Sequence, residues 1–346
     1  MKALVYHGPG KRAWEDVPDP EVTDPEDAVV RVDAFTICGT DLHILRGDVP
    51  EVQPGRVLGH EAVGTVTSVG PGVRTVRAGD RVLMSCISAC GRCRFCREGR
   101  HGQCQGGGGW VLGHLIDGVQ AESVRIPFAD GSAHMLPEGV SDEAALMLAD
   151  VLPTSYEVGA LSGSVRPGDT VVIVGAGPIG LAAILSVGLY TPLRTIVVEP
   201  VESRRAAATA FGADRVLSPD DDVAGVVRGL TGGLGADVSI EAVGFPASFD
   251  MAVEVVRPGG RVANVGVHGR PTTLHLEELW IKDVTITTGL VDTASTPMLL
   301  SMLQAGRLDV SRMVTHRFGF GEVPEAYDLF DDPVGSGALK VAVLRG

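Results

Sequence analysis

Up to about residue 150, apolar and polar positions nearly alternate over short runs at 28–34, 62–69, 81–84 and 122–126. Gly, Pro and Asp break these runs, and residues 1–6 read as another strand. The period of two predicts strands with one buried face, and hence antiparallel, barrel-like β structure. Pro50, Pro54 and Pro71 mark loops. After Pro153 the pattern changes. Positions 154–161 have helical spacing, 166–169 form a turn, and 170–174 is an almost wholly apolar strand. Further strands are predicted at 195–198, 215–217, 237–240, 261–265 and 284–288, with a helix at 203–211 closed by Gly212. Continuous Val/Ile runs at this pace predict βαβ units in a parallel sheet covered on both faces. Helices at 298–305 and 323–330 and a strand at 339–344 follow. They have no place in a completed six-stranded sheet and are expected to return to the first domain.

A length of 346 residues with 45% hydrophobic residues exceeds one ordinary core and predicts two domains. The expected division is 1–152 plus 294–346 for the mainly-β domain and 153–293 for the α/β domain. Mean hydropathy is +0.21, but no apolar stretch reaches the roughly 18 uncharged residues of a spanning helix. The first residues lack a signal peptide's apolar region and cleavage site, so a cytoplasmic protein is expected. Net charge is −14. An acidic chain has no basic face for nucleic acid or an anionic membrane, and neither is expected as a partner. The one dense glycine run, 106–109, is too short to be a linker.

Four of the six cysteines, Cys90, Cys93, Cys96 and Cys104, form C-x2-C-x2-C-x7-C in a lobe at about 86–105. In a cytosolic chain this reads as a closed, all-thiolate structural zinc site, with an iron–sulfur cluster or plain thiols as alternatives. Cys86 is left over and reads as a small buried residue.

A second constellation lies nearer the amino end, in Cys38-Gly39-Thr40-Asp41-Leu42-His43 and Gly59-His60-Glu61. Thiolate, imidazole and carboxylate are all zinc ligands, and a hydroxyl and a second imidazole adjoin the thiol. This run is expected to form most of an open, catalytic zinc site.

Gly175-Ala176-Gly177-Pro178-Ile179-Gly180 follows the 170–174 strand and opens a helix. In that context G-x-G-x-x-G is a dinucleotide fingerprint. Gly175 serves the tight turn, Gly177 the approach of pyrophosphate to the backbone, and Gly180 helix–sheet packing. The second domain is therefore expected to be a Rossmann-type doubly wound sheet. Glu199, at the end of the next strand, is placed to accept hydrogen bonds from ribose hydroxyls and to repel a 2′-phosphate, which favours NAD over NADP. Arg204 and Arg205 are near enough to turn towards a phosphate.

Together these features resemble the zinc-dependent medium-chain alcohol dehydrogenases. The signature is Gly59-His60-Glu61-x2-Gly64-x5-Gly70-x2-Val73, joined by the C-G-T-x2-H run, the cysteine lobe, Gly79-Asp80-Arg81-Val82 and the glycine fingerprint. Ala149-Asp150-Val151-Leu152-Pro153-Thr154 is similar to the third-ligand segment of the bacterial secondary-alcohol branch. The resemblance runs from end to end and implies a Rossmann domain inserted into a GroES-like catalytic domain. It makes Cys38, His60 and Asp150 the catalytic zinc ligands with Glu61 beside them. Thr40 and His43 become the proton relay, with Thr40 and Trp110 in the substrate pocket. Cofactor contacts fall at Gly175, Gly177, Pro178, Ile179, Gly180, Glu199, Arg204, Val243, Val265, Gly266, Val267, Leu290, Val291 and Lys340.

The activity so implied is reversible hydride transfer between a small or medium, secondary alcohol and NAD, with two zinc ions per subunit. The alternative is a polyol, amino-alcohol (threonine-type) or formaldehyde dehydrogenase on the same scaffold. A homodimer or homotetramer is expected, paired through the 284–288 edge strand. His114, His134, His268, His275 and His316 have no recognisable partners in the sequence.

Overall fold

The chain before residue 154 forms seven strands: β1 (Lys2–Tyr6), β2 (Arg12–Asp16), β3 (Ala28–Thr36), β4 (Ala62–Val69), β5 (Arg81–Met84), β6 (Ser123–Ile126) and β7 (Ala133–Met135). The α/β region adds β8 (Thr170–Val174), β9 (Arg194–Val198), β10 (Arg215–Leu217), β11 (Ala236–Glu241), β12 (Val256–Asn264) and β13 (Thr285–Thr288). The chain closes with β14 (Val314–Gly319) and β15 (Lys340–Leu344). This computed structural model describes residues 1–346. Contacts divide it into Met1–Pro153 with Val291–Gly346, and Thr154–Leu290. No helix is long and apolar enough to cross a membrane.

In the first unit, strands run in the order β14-β15-β3-β4-β5-β7, and β6 pairs with β3. β3 is long enough to serve two partners on one edge, β6 along Ala28 to Arg31 and β15 along Ala34 to Thr36. The last strand of the chain is thereby stitched to one of the first. The core beneath the sheet takes Val30, Val32, Phe35, Leu58, Ala62, Val82, Met84, Tyr327 and Val341. β14 and β15 pair in parallel, unlike their antiparallel neighbours. The helix Val323–Asp331 supplies the crossover that a parallel pair requires.

The second unit is a six-stranded parallel sheet in the order β10-β9-β8-β11-β12-β13. Every residue of β8 is buried, as expected for a central strand covered on both faces. Strand order reverses between β8 and β11, and ligands bind open α/β sheets at the carboxyl ends beside such a point. β13 is an edge strand.

Local details differ from the sequence pattern. The 154–161 stretch is not an ordinary helix: Val151–Thr154 is α-helical and Ser155–Leu161 forms a π-helix. Its bonds step back five residues, as from the Ser162 N–H to the Glu157 carbonyl at 3.0 Å. The missing side chains of Gly159 and Gly163 let this wide turn press on Ile240, Val265 and Val238. Hydrophobic spacing alone does not separate such a turn from an α-helix.

Candidate metal and dinucleotide sites

Cys38 ends the loop after β3 and precedes the helix Gly39–Arg46. The helix begins with a reciprocal cap: Asp41 turns back, and its Oδ2 accepts the Cys38 N–H at 2.9 Å. This bond fixes the backbone that carries the thiol. His60 and Glu61 lead into β4 after Gly59, whose φ is +93°. A side chain at residue 59 would also collide with Gln120. Asp150 arrives from far along the chain, just before the helix Val151–Thr154. His60 Nε2 lies 3.4 Å from Asp150 Oδ2, and Cys38 Sγ lies 3.7 Å from the same oxygen. The three ligand-type atoms all lie within 4.8 Å of one another.

The chemistry of this cluster fits a divalent cation. Four acids, Cys38, Asp41, Glu61 and Asp150, meet only two bases, His60 and Lys340. Burial pushes the Cys38 thiol up, and the Glu61 and Asp150 charges add to that. Burial opposes a charged His60, but Asp150 and Cys38 outweigh it and hold the imidazole well above its ordinary value. His60 Nδ1, Asp41 Oδ1 and Glu61 Oε1 are buried without hydrogen-bond partners. The first two face each other at 3.9 Å. A cation on Nε2 would leave the imidazole proton on Nδ1, turned towards the carboxylate. Asp41 is therefore a member of the site that ligand spacing missed. The signal was an acid three residues after the thiol.

Lys340, for which the resemblance implies a cofactor contact, is buried against Glu61. Its ammonium is 1% exposed and lies 2.5 Å from Glu61 Oε2, with the Ile37 carbonyl at 3.1 Å. Burial disfavours the charge, but Glu61, Cys38 and Asp150 raise Lys340 above its usual value. A buried carboxylate needs such a counter-ion, and β15 delivers it.

Thr40 Oγ1 is 3.6 Å from Cys38 Sγ. His43 pairs through Nδ1 with Asp48 at 2.8 Å, at the half-exposed end of the same helix. Trp110 meets the His60 ring edge-on, with centroids 6.2 Å apart. His114 stacks on Trp110 at 4.2 Å and bonds its carbonyl through Nδ1. Cys86 is buried; its N–H holds the Ala149 carbonyl at 3.1 Å, and burial keeps its thiol neutral.

Cys90, Cys93, Cys96 and Cys104 form the second cluster, again with ligand atoms within 4.8 Å. The Cys96 N–H points at Cys93 Sγ and the Gly106 N–H at Cys104 Sγ, both at 3.4 Å. The N–H from Cys96 helps lower the Cys93 thiol to about 6, whereas burial pushes Cys96 up to about 12. The glycine run now has a role. A Cβ at residue 106 would stand 2.5 Å from Cys90 Sγ, and one at residue 108 would stand 3.0 Å from Cys104 Sγ. Four sulfurs in a cradle shaped by glycine and backbone N–H groups suit a closed tetrahedral ion.

In the second unit, Gly175 has φ +101°, and Gly180 packs so closely on the Gly175 carbonyl that no side chain fits there. Gly177 precedes the helix Pro178–Gly188 and has open space where a Cβ would stand. Pro178 starts that helix without wasting an N–H. The fingerprint thus presents a bare backbone and a helix amino end, which fits a pyrophosphate. Glu199 is nearly buried. Its Oε2 accepts the Ala176 N–H at 2.7 Å and its Oε1 the Val201 N–H at 2.9 Å. Arg205 is spent on the Glu199 and Pro200 carbonyls, whereas Arg204 Nε is buried without a partner. Val243, Val267 and Leu290 are exposed; Val265 and Val291 are buried.

Glu241 was absent from the sequence expectations. Its Oε1 accepts the Val243 and Gly244 N–H groups and the Ser248 hydroxyl, while its carbonyl accepts the Val265 N–H. One buried acid therefore ties together the loops after β11 and β12. Histidines without partners recognisable in the sequence find them in the fold, except His134, whose Nε2 is buried without one. His268 bonds Asn264 and Thr272 at 2.9 Å and faces Glu241 at 3.6 Å, His275 pairs with Glu277, and His316 with Thr315. These partners lie one to 27 residues away, at spacings that carry no motif.

The family model described as "Alcohol dehydrogenase GroES-like domain" matches residues 24–138, and that described as "Zinc-binding dehydrogenase" matches 178–305. An alcohol dehydrogenase of Cupriavidus necator is 36% identical over 99% of this chain and 98% of its own length. Zinc dependent alcohol dehydrogenase 2 from Streptococcus pneumonia superposes with a TM-score of 0.96 at 44% identity, covering 100% of this chain and 98% of that one. Alcohol dehydrogenase TADH from Thermus sp. ATN1 does so with a TM-score of 0.92 at 36% identity, covering 100% of both. With two thiol-bearing clusters of ligand-type atoms and a dinucleotide fingerprint on a shared end-to-end fold, the chain belongs to the zinc-dependent medium-chain alcohol dehydrogenase family.

Proposed function

We propose that this chain oxidises a small or medium secondary alcohol, and reduces the corresponding carbonyl, with NAD(H) as the preferred cofactor and two zinc ions per subunit. The observation that carries the reading is the convergence of Cys38, His60 and Asp150 within 4.8 Å. Three protein ligands leave a tetrahedral ion one position for substrate. Bound zinc would supply Lewis acidity at the substrate oxygen, and bound nicotinamide would exchange the hydride. Cys38 Sγ, His60 Nε2 and an Asp150 oxygen hold the ion. Lys340 is the counter-ion that tethers Glu61 beside them. Thr40 carries a hydroxyl beside the thiol and relays the substrate proton, accepting it as it passes its own through the cofactor ribose towards His43. His43, with Nδ1 held by Asp48, returns it to solvent. Trp110 walls the alcohol's carbon chain against His60. Cys90, Cys93, Cys96 and Cys104 hold the second ion and fix their lobe.

The Gly175–Gly180 backbone holds the pyrophosphate, and exposed Val243, Val267 and Leu290 offer apolar surface to the nicotinamide ring. The Glu199 carboxylate supports NAD over NADP by like-charge repulsion of a 2′-phosphate. A homo-oligomer joined through edge strand β13 is part of the reading. Trp280 and Ile281, just before that strand, are more than two-thirds exposed at 74% and 70% and need cover. Sedimentation at micromolar concentration should give a dimer or larger; a monomer refutes that part.

The deciding test is Cys38→Ser, assayed with NAD⁺ and NADP⁺ against primary alcohols, secondary alcohols, polyols and threonine, with zinc counted alongside. The variant should keep one zinc per chain and lose activity, and the parent should prefer NAD⁺ and secondary alcohols. Full activity in the variant refutes the metal site. Turnover confined to polyols or threonine refutes the substrate class.

A further inference from the structure

Beyond the ligands, a chain of buried hydrogen bonds runs from the helix Val323–Asp331 to the metal cluster. Tyr327 is fully buried, and its hydroxyl donates to Gln120 Oε1 at 2.7 Å. Gln120, also fully buried, donates from Nε2 to Asp41 Oδ2 at 3.0 Å and to the Thr36 carbonyl at 3.4 Å. Asp41 Oδ2 is thus engaged by the Cys38 N–H and the Gln120 amide, and Oδ1 is left facing His60 Nδ1. Arg12 lies over the Tyr327 ring, 4.9 Å from its centroid, and its guanidinium pairs with Asp328.

We infer that Tyr327 and Gln120 are positioning residues for the metal, acting through the orientation of Asp41. The inference rests on the proposed zinc site at Cys38, His60 and Asp150. Reversing the Gln120 amide would turn its carbonyl oxygen onto a carboxylate and a backbone carbonyl, so the two acceptors oppose the flip. The Tyr327 hydroxyl holds the amide from the other side. It gives Oε1 a donor in a place that water does not reach, and a buried acceptor without one is costly. With the amide locked, Asp41 keeps one oxygen for the backbone of one ligand, Cys38, and one for the ring of another, His60. Outer partners of a metal-bearing histidine set its orientation and basicity, and losing one weakens metal binding by about 10–100-fold. A group one bond further out should act in the same direction and less strongly.

Tyr327→Phe keeps the ring packing and removes only the hydroxyl. The test loads parent, Tyr327→Phe, Asp41→Asn and the double variant with zinc and follows transfer of each zinc to a colorimetric chelator. The four-cysteine site is the control within the same chain, because general loosening would release both ions. Tyr327→Phe should weaken retention at the Cys38 site by about 3–10-fold and leave the cysteine site unchanged. Asp41→Asn should weaken it further, and adding Tyr327→Phe to it should do little more, since the hydroxyl acts through Asp41. Parent-like retention in Tyr327→Phe, equal weakening of both sites, or full multiplication in the double variant overturns the inference. A parent that holds zinc only on the four cysteines overturns the metal-site reading and this inference together.

Discussion

The Lys340 ammonium and the Glu61 carboxylate meet at 2.5 Å, and neither is more than 1% exposed. A pair so buried is stabilising only while both members are present. Lys340→Met should therefore cost about 3–5 kcal/mol in denaturant unfolding, because it strands a carboxylate beside Cys38 and Asp150. Adding Glu61→Gln should restore most of that loss. Additive losses in the double variant would show that the pair is not a unit.

Gly106→Ala tests the cysteine lobe. The new methyl group would sit 2.5 Å from Cys90 Sγ. Overpacking of this kind costs about 1–3 kcal/mol. The variant should yield its structural zinc to a chelator faster than the parent and melt at a lower temperature. Gly107→Ala places its methyl group no closer than 3.8 Å to Phe128, although φ there is +94°. It should retain zinc better than Gly106→Ala, and the reverse order would refute the cradle.

His134, on β7, is lowered to about 4 by burial, with the His101 charge adding to it. The folded chain keeps it neutral, whereas the unfolded chain protonates it near 6.5. Between these values the unfolded state binds more protons, so stability falls as pH drops from about 6.5 to 4. The loss is fully developed below pH 4 at about 3 kcal/mol. His134→Leu removes this dependence. The stability difference between parent and variant should shift by that amount between pH 7 and pH 4, and a constant difference would count against a neutral buried imidazole.

Glu199→Gln should weaken the preference for NAD⁺ over NADP⁺. The carboxylate's repulsion of a 2′-phosphate disappears, while the amide oxygen still accepts one backbone N–H. The ratio of kcat/KM for NAD⁺ to that for NADP⁺ should fall about tenfold, or roughly 1.4 kcal/mol. An unchanged ratio would move cofactor choice to Arg204, whose Nε is buried and unpaired.

Much of the architecture was legible because each domain carries its own period. Alternation marked β3, β4 and β5, and continuous Val/Ile runs marked β8 and β9. β2 was missed because RAWED has no apolar face to alternate. The helix Gly39–Arg46 was hidden by the ligand motif it carries and is recognised by the cap between Cys38 and Asp41. Spacing identified candidate ligands, but not the partners brought together by folding. Asp41, Gln120 and Tyr327 meet across sequence gaps of 79 and 207 residues. Likewise, nothing local in the sequence turns Lys340 inward to Glu61, since its partner is 279 residues away.

The pairing of β15 with β3 also bears on how the protein is made. Residues Thr154–Leu290 form an unbroken unit that can fold as soon as it leaves the ribosome, because nothing later in the chain belongs to it. The unit that carries the metal cluster lacks that freedom. Lys340 and Tyr327 are synthesised some three hundred residues after Cys38, so during translation Glu61 waits without its counter-ion and Gln120 without its donor. A nascent chain stalled before residue 323 should therefore carry a finished dinucleotide fold and an unfinished metal site.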